Sequence, residues 1–155
     1  MSFIQLPVNL PESNYLNQPI NVPISDRRYQ LVAPYFYEWE HRNKTYRLEV
    51  PAGFVYDGAS VPRIVWTISG LRPDGLIRAA ATVHDFMYHH KGCLPFGSVR
   101  LLENPYSQQV MDMAWSRKQA DKLFARMMRE AGVSKYRRRL AYLAVRAFGR
   151  FWWKN

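Results

Sequence analysis

The pattern of apolar and polar residues divides the chain into an extended segment, a β-rich segment and a helical segment. Residues 1–26 contain four prolines among Asn, Gln and Ser, a spacing that excludes a regular helix and favours extended backbone. Apolar residues are also frequent there, so we expect this arm to wrap its own domain or a neighbouring subunit. The pattern predicts an extended arm over residues 1–26 and a single domain over residues 27–155.

The β-rich segment is expected over residues 27–66. β-Branched and aromatic residues dominate Arg28 to Trp39 and Thr45 to Val50, and polar residues 41–44 lie between these stretches. This arrangement predicts an antiparallel β-hairpin. A third short strand is expected over residues 53–56.

The helical segment is expected over residues 74–155, where apolar residues recur at helical spacing. Asp74 can cap a first helix, which should end near Gly92. The next stretch, residues 93–114, is predicted to be a long loop. The lone Cys93 in it has no second cysteine to pair with, and we expect it to be a small buried apolar residue.

Two further helices follow the predicted loop. Ser116 and Gln119 have the spacing of a capping box, which predicts a helix that ends at Gly132. A last helix should begin near Ser134 and bury Tyr136, Leu140, Leu143, Ala144, Ala147 and Phe151. Its expected exposed residues are Lys135, Arg139, Arg146 and Arg150. Together these elements predict an α+β fold in which a small antiparallel sheet packs on a three-helix C-terminal half.

The composition fits one soluble domain. At 155 residues and 48% hydrophobic content, the chain can bury one sizeable core. The sequence contains no apolar run long enough to cross a bilayer, so no transmembrane segment is expected. The first residues lack the basic start and apolar stretch of a secretory signal, so we expect no export by that route.

The net charge of +10 comes entirely from the C-terminal part of the chain. Residues 1–115 contain 10 Lys/Arg and 10 Asp/Glu, whereas residues 116–155 contain 12 and 2. Such a basic segment can meet anionic lipid, nucleic acid or an acidic protein surface. No recognised nucleic-acid motif is present, so we expect no specific nucleic-acid partner.

The end of the last helix combines arginines with tryptophans. This combination suits an anionic membrane interface, and it also suits docking on an acidic partner. The predicted lipid- or partner-binding residues are Arg139, Arg146, Arg150, Trp152 and Trp153.

A small polar site is predicted on the first helix. His84 and Tyr88 are four residues apart and share a face, while Asp85 lies about 100° round the helix. An imidazole that acts as a general base needs a carboxylate to fix its tautomer. Asp121 on the second helix is the candidate, because it lies at the margin of that helix's apolar stripe and must be paired there.

Two other interpretations of these residues stay open. His84 and Tyr88 can be ordinary core residues, with Asp121 paired to Arg117 or Lys118 on its own helix. A transition metal can also be held by Asp85 and His89 with Asp57.

A metal held by His84, Asp85 and Asp57 would instead indicate a peptidoglycan or peptide hydrolase. The sequence lacks a zinc signature such as H-E-x-x-H. The turn-like segment Asp57-Gly58-Ala59-Ser60 also has a purely local explanation, in which its side chains bond neighbouring amides.

The motifs support two resemblances. G-F-V-Y-D-G-A-S-V-P-R-I-V-W, A-A-A-T-V-H-D-F-M-Y, R-K-Q-A-D-K-L-F and A-V-R-A-F-G resemble those of small uncharacterised proteins of tailed phages and prophages, over residues 28–149. This resemblance implies a phage or prophage source, and hence a location in the virion or the host cytoplasm. It implies no activity.

The second resemblance is to phospholipase A2 of the parvovirus capsid type, through H-D-x-x-Y and A-D-x-x-F over residues 74–131. It implies that His84 activates the attacking water, Asp121 orients His84, and Tyr88 bonds Asp121. Asp85 would bind calcium, which would polarise the ester carbonyl.

The glycine-rich calcium loop of that enzyme has no clean copy here. Two segments could substitute for it: Ser69-Gly70-Leu71-Arg72-Pro73, or Tyr56-Asp57-Gly58-Ala59-Ser60. The second makes Asp57 a further candidate metal ligand.

Two functions therefore follow from the sequence. One is a calcium-dependent, phospholipase A2-like hydrolase encoded by a phage. The other is a structural or accessory protein of the phage tail or capsid, in which the arm over residues 1–26 binds other virion proteins.

Overall fold

The computed structural model describes residues 17–26, 28–57, 63, 66–67, 70, 77–104 and 107–153. These residues form an α+β fold, as the sequence predicts, with two antiparallel sheets and a group of helices. The main core lies where the first helix meets both the strands and the second helix. Most of the predicted arm, residues 1–16, lies outside the described residues.

The first sheet contains three short strands in the order β1-β2-β5. β1 is Asn21–Ser25, β2 is Arg28–Leu31 and β5 is Val55–Tyr56. The end of the predicted arm is therefore extended, as expected, and it pairs with β2 of its own chain. The short strand expected over residues 53–56 is β5.

The second sheet contains β3 at Tyr35–His41, β4 at Lys44–Val50, β6 at Val99–Asn104 and β7 at Ser107–Val110, in the order β3-β4-β6-β7. The predicted hairpin is present, and Arg42 and Asn43 at its turn have positive φ angles of 50° and 58°. Two successive positive φ angles are typical of the turn whose twist matches a hairpin.

The predicted strand from Arg28 to Trp39 is in fact two strands. Residues 32–34 interrupt it, so that β2 lies in the first sheet and β3 in the second. Pro34 has no amide hydrogen to give to a sheet, and it restricts the residue before it. Pro34 is therefore the local feature of the sequence that indicates a break between β2 and β3.

The prediction of a long loop over residues 93–114 was wrong. This stretch contains β6, Val99–Asn104, and β7, Ser107–Val110. β6 pairs with β4, which makes β4 an inner strand, and Val99 and Leu101 are buried. The prediction for Cys93 was also wrong, because this cysteine is exposed.

The helices are α1, Arg78–His89; α2, Arg117–Glu130; α3, Lys135–Phe148; and α4, Arg150–Trp153. In α1, every residue from Ala79 to Tyr88 is buried. α2 begins with the predicted capping box, in which Ser116 and Gln119 each bond the other's backbone amide. No helix in the described parts of the chain is both long enough and apolar enough to cross a membrane.

The predicted buried face of α3 was wrong for Tyr136, Leu143, Ala147 and Phe151, which are exposed, whereas Ala144 does pack against the core. The inward residues of α3 are small: Ala141 and Val145 are fully buried, and Gly149 follows at the same spacing. A Cβ atom on Gly149 would overlap the hydroxyl of Tyr88. Close packing of this small face turns three larger apolar residues outward: Tyr136 is 73% exposed, Leu143 52% and Phe151 64%.

A buried histidine–aspartate–tyrosine network beside a groove

The two central helices bring His84 and Asp121 together. His84 Nε2 lies 2.8 Å from Asp121 Oδ1, and both side chains have 0% exposure. A carboxylate only accepts hydrogen bonds, so Nε2 carries the hydrogen and donates it. In the neutral form of the ring, this tautomer has its lone pair on Nδ1. The ring also packs 4.7 Å from the ring of Phe124 on α2, measured between centroids.

Tyr88 completes the contact from one helical turn further along α1. Its hydroxyl donates to the same Asp121 oxygen at 2.7 Å, and its ring lies 4.2 Å from that of His84. The spacing of four residues in H-D-x-x-Y explains why both side chains reach one oxygen. The sequence predicts that His84, Asp85, Tyr88 and Asp121 converge. His84 and Tyr88 do meet Asp121, whereas Asp85 lines the adjacent groove.

The second oxygen of Asp121 faces arginine. Arg146 of α3 donates to Oδ2 at 2.7 Å, and Arg117, one turn earlier on α2, lies 3.6 Å from it. Arg117 also donates to the carbonyl groups of Val145 and Arg146 near the end of α3. Asp121 thus joins side chains from α1, α2 and α3.

This environment sets the ionisation of Asp121 and Tyr88. Burial by itself would raise the pKa of Asp121, but the hydrogen bonds from His84, Tyr88 and Arg146 together outweigh burial and lower that pKa. Burial, followed by the adjacent Asp121 carboxylate, raises the pKa of Tyr88 well above its ordinary value. Asp121 is therefore the charged acceptor and Tyr88 a neutral donor at neutral pH.

A groove of about 780 Å³ lies between α1 and the first sheet. Asp85 and Tyr88 line it from α1, and Trp152 lines it from α4. The opposite wall is formed by residues 53–57, which include β5, together with Arg28. His84 does not line the groove, although its neighbours Asp85 and Tyr88 do.

The predicted metal ligands Asp57 and Asp85 both line this groove. Calcium takes six to eight oxygen ligands, and the described residues contain no cluster of three or more His, Cys, Asp or Glu side chains that could hold a metal. His84 is already bonded through Nε2 to Asp121. Asp57, Asp85 and His89, the residues of the alternative metal set, all line the groove, but the described His, Cys, Asp and Glu side chains do not form a three-ligand metal site by themselves. Calcium and transition-metal binding stay predictions.

The five residues predicted to bind lipid or a partner divide into two groups. Arg139, Arg150 and Trp152 are exposed. Arg146 bonds Asp121, and the ring of Trp153 packs edge-on against Tyr88 at 4.9 Å. The expected exposure of Arg146 was wrong, because its guanidinium pairs with the buried Asp121 carboxylate and the residue is only half-exposed. Binding of lipid or a partner by these residues stays a prediction.

Sequence reasoning missed Arg146 and Gly149 as parts of the network. Both lie in the motif A-V-R-A-F-G, where Arg146 and Gly149 are three residues apart and can serve one helix face. The isolated Arg in a segment of small residues was the available signal. The sequence does indicate Arg117 as a partner of Asp121, and its guanidinium lies 3.6 Å from Asp121 Oδ2.

The molecule defined by these features is a small α+β protein with a buried His-Asp-Tyr network under an open groove. The chain belongs to a family described as "Protein of unknown function (DUF1353)", whose model matches residues 29–145. No curated protein and no solved structure matches the chain.

Proposed function

We propose that this protein is a phage-encoded hydrolase that resembles phospholipase A2 and cleaves carboxylic esters of phospholipids. The observation that carries the proposal is the shared oxygen of Asp121, which accepts hydrogen bonds from both His84 and Tyr88. These are the contacts that the resemblance implies. Asp85, the next residue along α1, lines the adjacent groove.

The proposed reaction uses His84 as a general base. Nδ1 takes a proton from water, and the hydroxide attacks the ester carbonyl carbon to give a tetrahedral intermediate. The protonated ring then returns the proton to the alkoxide as the carbon–oxygen bond breaks, releasing a fatty acid and an alcohol. Asp121 stabilises the positive ring and fixes its tautomer, and Tyr88 and Arg146 hold Asp121 in place.

The burial of His84 imposes a requirement on this reaction. With 0% exposure of its side chain, the ring meets a substrate only when part of its cover moves. Asp85 and Tyr88 flank the ring along the helix and line the groove, so the groove is the side from which we expect access. We expect the cover of His84 to move when the protein contacts a lipid surface.

Fatty-acid release from anionic phospholipid vesicles tests the proposal. The wild-type protein should release fatty acid, and His84→Gln and Asp121→Asn should each lower the rate at least about a hundredfold. His41→Gln is the matched control, because His41 is exposed at the end of β3. No release by the wild-type protein, or equal release by His84→Gln, would refute the proposal.

Calcium stays a prediction that the same assay tests. Parallel reactions with added calcium and with a chelator separate two outcomes. Loss of activity in chelator would indicate that further ligands complete a site with Asp57 and Asp85. Full activity in chelator would remove calcium from the proposal and leave the His84 reaction in place.

A second candidate function is that of a non-catalytic component of a phage tail or capsid. The observation that favours it is the complete burial of the His84 and Asp121 side chains, since a hydrogen-bonded pair buried in this way can serve as a brace between helices. Mass spectrometry of purified particles tests it. Particles that lack this polypeptide would exclude the candidate.

A further inference from the structure

The outer surface of α3 carries an apolar stripe that faces solvent. Tyr136, Leu143 and Phe151 are strongly exposed, and Ala147 lies among them. Successive helical residues are about 100° apart, which places these four positions within roughly 80° of one another. We call them the α3 stripe.

The stripe continues into α4 because the chain does not turn sharply between the two helices. Gly149 keeps a right-handed helical backbone, with φ −59° and ψ −20°. The amides of Trp152 and Trp153 both bond the carbonyl group of Gly149. Phe151 therefore extends the line that Tyr136 begins.

Basic residues border the stripe. Arg139 and Arg150 are exposed. On a helical wheel with Tyr136 at 0°, they lie at about 300° and 320°, along one edge of the stripe. The segment from residue 133 to 153 contains six Lys/Arg and no Asp/Glu. This surface is therefore both apolar and strongly cationic.

We propose that the α3 stripe and its arginines bind the surface of an anionic phospholipid bilayer. An exposed apolar stripe flanked by cations is the pattern of helices that lie in the plane of a membrane interface. Tyr and Trp favour that interface, and Arg is attracted to anionic headgroups. Binding to nucleic-acid phosphates would use the arginines and leave the stripe in water, so lipid accounts for more of the surface.

This surface would also orient the groove. Trp152 follows Phe151 directly, is 43% exposed and lines the groove. A protein bound through the α3 stripe would hold that end of the groove close to the bilayer. This inference about orientation rests on the proposed hydrolase function, whereas the binding itself can be measured without catalysis.

Sedimentation with vesicles of diether phospholipids tests the binding, because ether lipids have no carboxylic ester to cleave. One set of vesicles contains phosphatidylcholine analogues alone, and the other adds phosphatidylglycerol analogues. We expect the full-length protein to bind the anionic vesicles at least about tenfold more tightly than the neutral ones. His84→Gln should bind as the wild-type protein does.

Two double variants separate the apolar and cationic contributions. Leu143→Glu with Phe151→Glu, and Arg139→Glu with Arg150→Glu, should each weaken binding to anionic vesicles by about tenfold or more. Phe96→Glu is the matched control, because Phe96 is 89% exposed on the turn before β6. Urea unfolding of each variant checks that the fold is retained.

Three results would overturn the inference: a wild-type protein that does not bind anionic vesicles, double variants that bind as tightly as wild type, or binding to polyglutamate without binding to vesicles. The last result would identify an acidic polypeptide as the partner. A protein that binds vesicles through the stripe but releases no fatty acid from ester lipids would refute the hydrolase and leave this surface standing.

Discussion

Replacing Asp121 by Asn tests the network most directly, because the amide keeps the shape of the carboxylate and removes its charge. Asp121 accepts hydrogen bonds from His84, Tyr88 and Arg146 within 2.7 to 2.8 Å. An asparagine presents one acceptor oxygen and one donor nitrogen, so it cannot accept at both ends. The amide nitrogen of the asparagine then faces either the donors of His84 and Tyr88 or the guanidinium of Arg146, and that contact loses its hydrogen bond.

The expected loss of stability follows from these contacts. Removing one partner of a buried ion pair costs about 3–5 kcal/mol. Arg146 and Arg117 keep side-chain exposures of 29% and 20%, so water can solvate part of their charge once the carboxylate is gone. We therefore expect the free energy of unfolding of Asp121→Asn to fall by about 2–4 kcal/mol, somewhat less than that range.

The acid response of the protein should change as well. The pKa of Asp121 is lower in the folded protein than its ordinary value of 3.8. A lowered pKa means that its contribution to stability is present at pH values above the ordinary value and is lost as the pH falls through the folded value. The difference in unfolding free energy between wild type and Asp121→Asn should therefore shrink as the pH falls below about 3.8.

Urea unfolding at neutral and acid pH, followed by circular dichroism and tryptophan fluorescence, provides the measurement. Asp112→Asn is the matched control, because Asp112 is exposed and its replacement should change stability by no more than about 0.5 kcal/mol. A loss below about 1 kcal/mol for Asp121→Asn at neutral pH would show that the carboxylate is not the buried acceptor described above.

Two further predictions concern the packing and capping of the same helices. Gly149→Ala places a methyl group against the hydroxyl of Tyr88 and should lower the free energy of unfolding by about 1–3 kcal/mol; an unchanged urea midpoint would mean that α3 does not approach α1 so closely. Ser116→Ala removes the side-chain acceptor for the amide of Gln119 and should cost about 1 kcal/mol in the same measurement, whereas a loss indistinguishable from zero would contradict the capping box.

Local signals in the sequence were sufficient for α2 and for the end of α1 near Gly92. α1 begins at Arg78, after Ile77 and without a side-chain cap, and the predicted cap residue Asp74 lies outside the described residues.

The capping box at Ser116 fixed the start of α2, and the spacing of His84 and Tyr88 placed both on the face that meets Asp121. The convergence of the three side chains could be predicted because short helices joined in one small core have few ways to satisfy a buried carboxylate.

Longer-range features could not be read in the same way. The hairpin β6-β7 forms because the second edge of β4 needs a partner. The outer strand of this hairpin, Ser107–Val110, has too few apolar residues to be predicted as a strand from the sequence. The rotation of α3 depends on how closely its small residues can approach Tyr88. Apolar periodicity predicted that the larger side chains form the buried face of α3, but in the structure the smaller ones form it.

The continuous burial of α1 has a kinetic consequence for the proposed reaction. Ten successive residues of this helix, from Ala79 to Tyr88, are buried, so a rotamer change of one surface side chain does not bring His84 into contact with solvent. Access requires displacement of a packed element, a motion that commonly takes microseconds to seconds. Turnover at His84 can then be no faster than this opening motion. A lag or burst phase after mixing with vesicles would report the rate of opening and not the rate of ester cleavage.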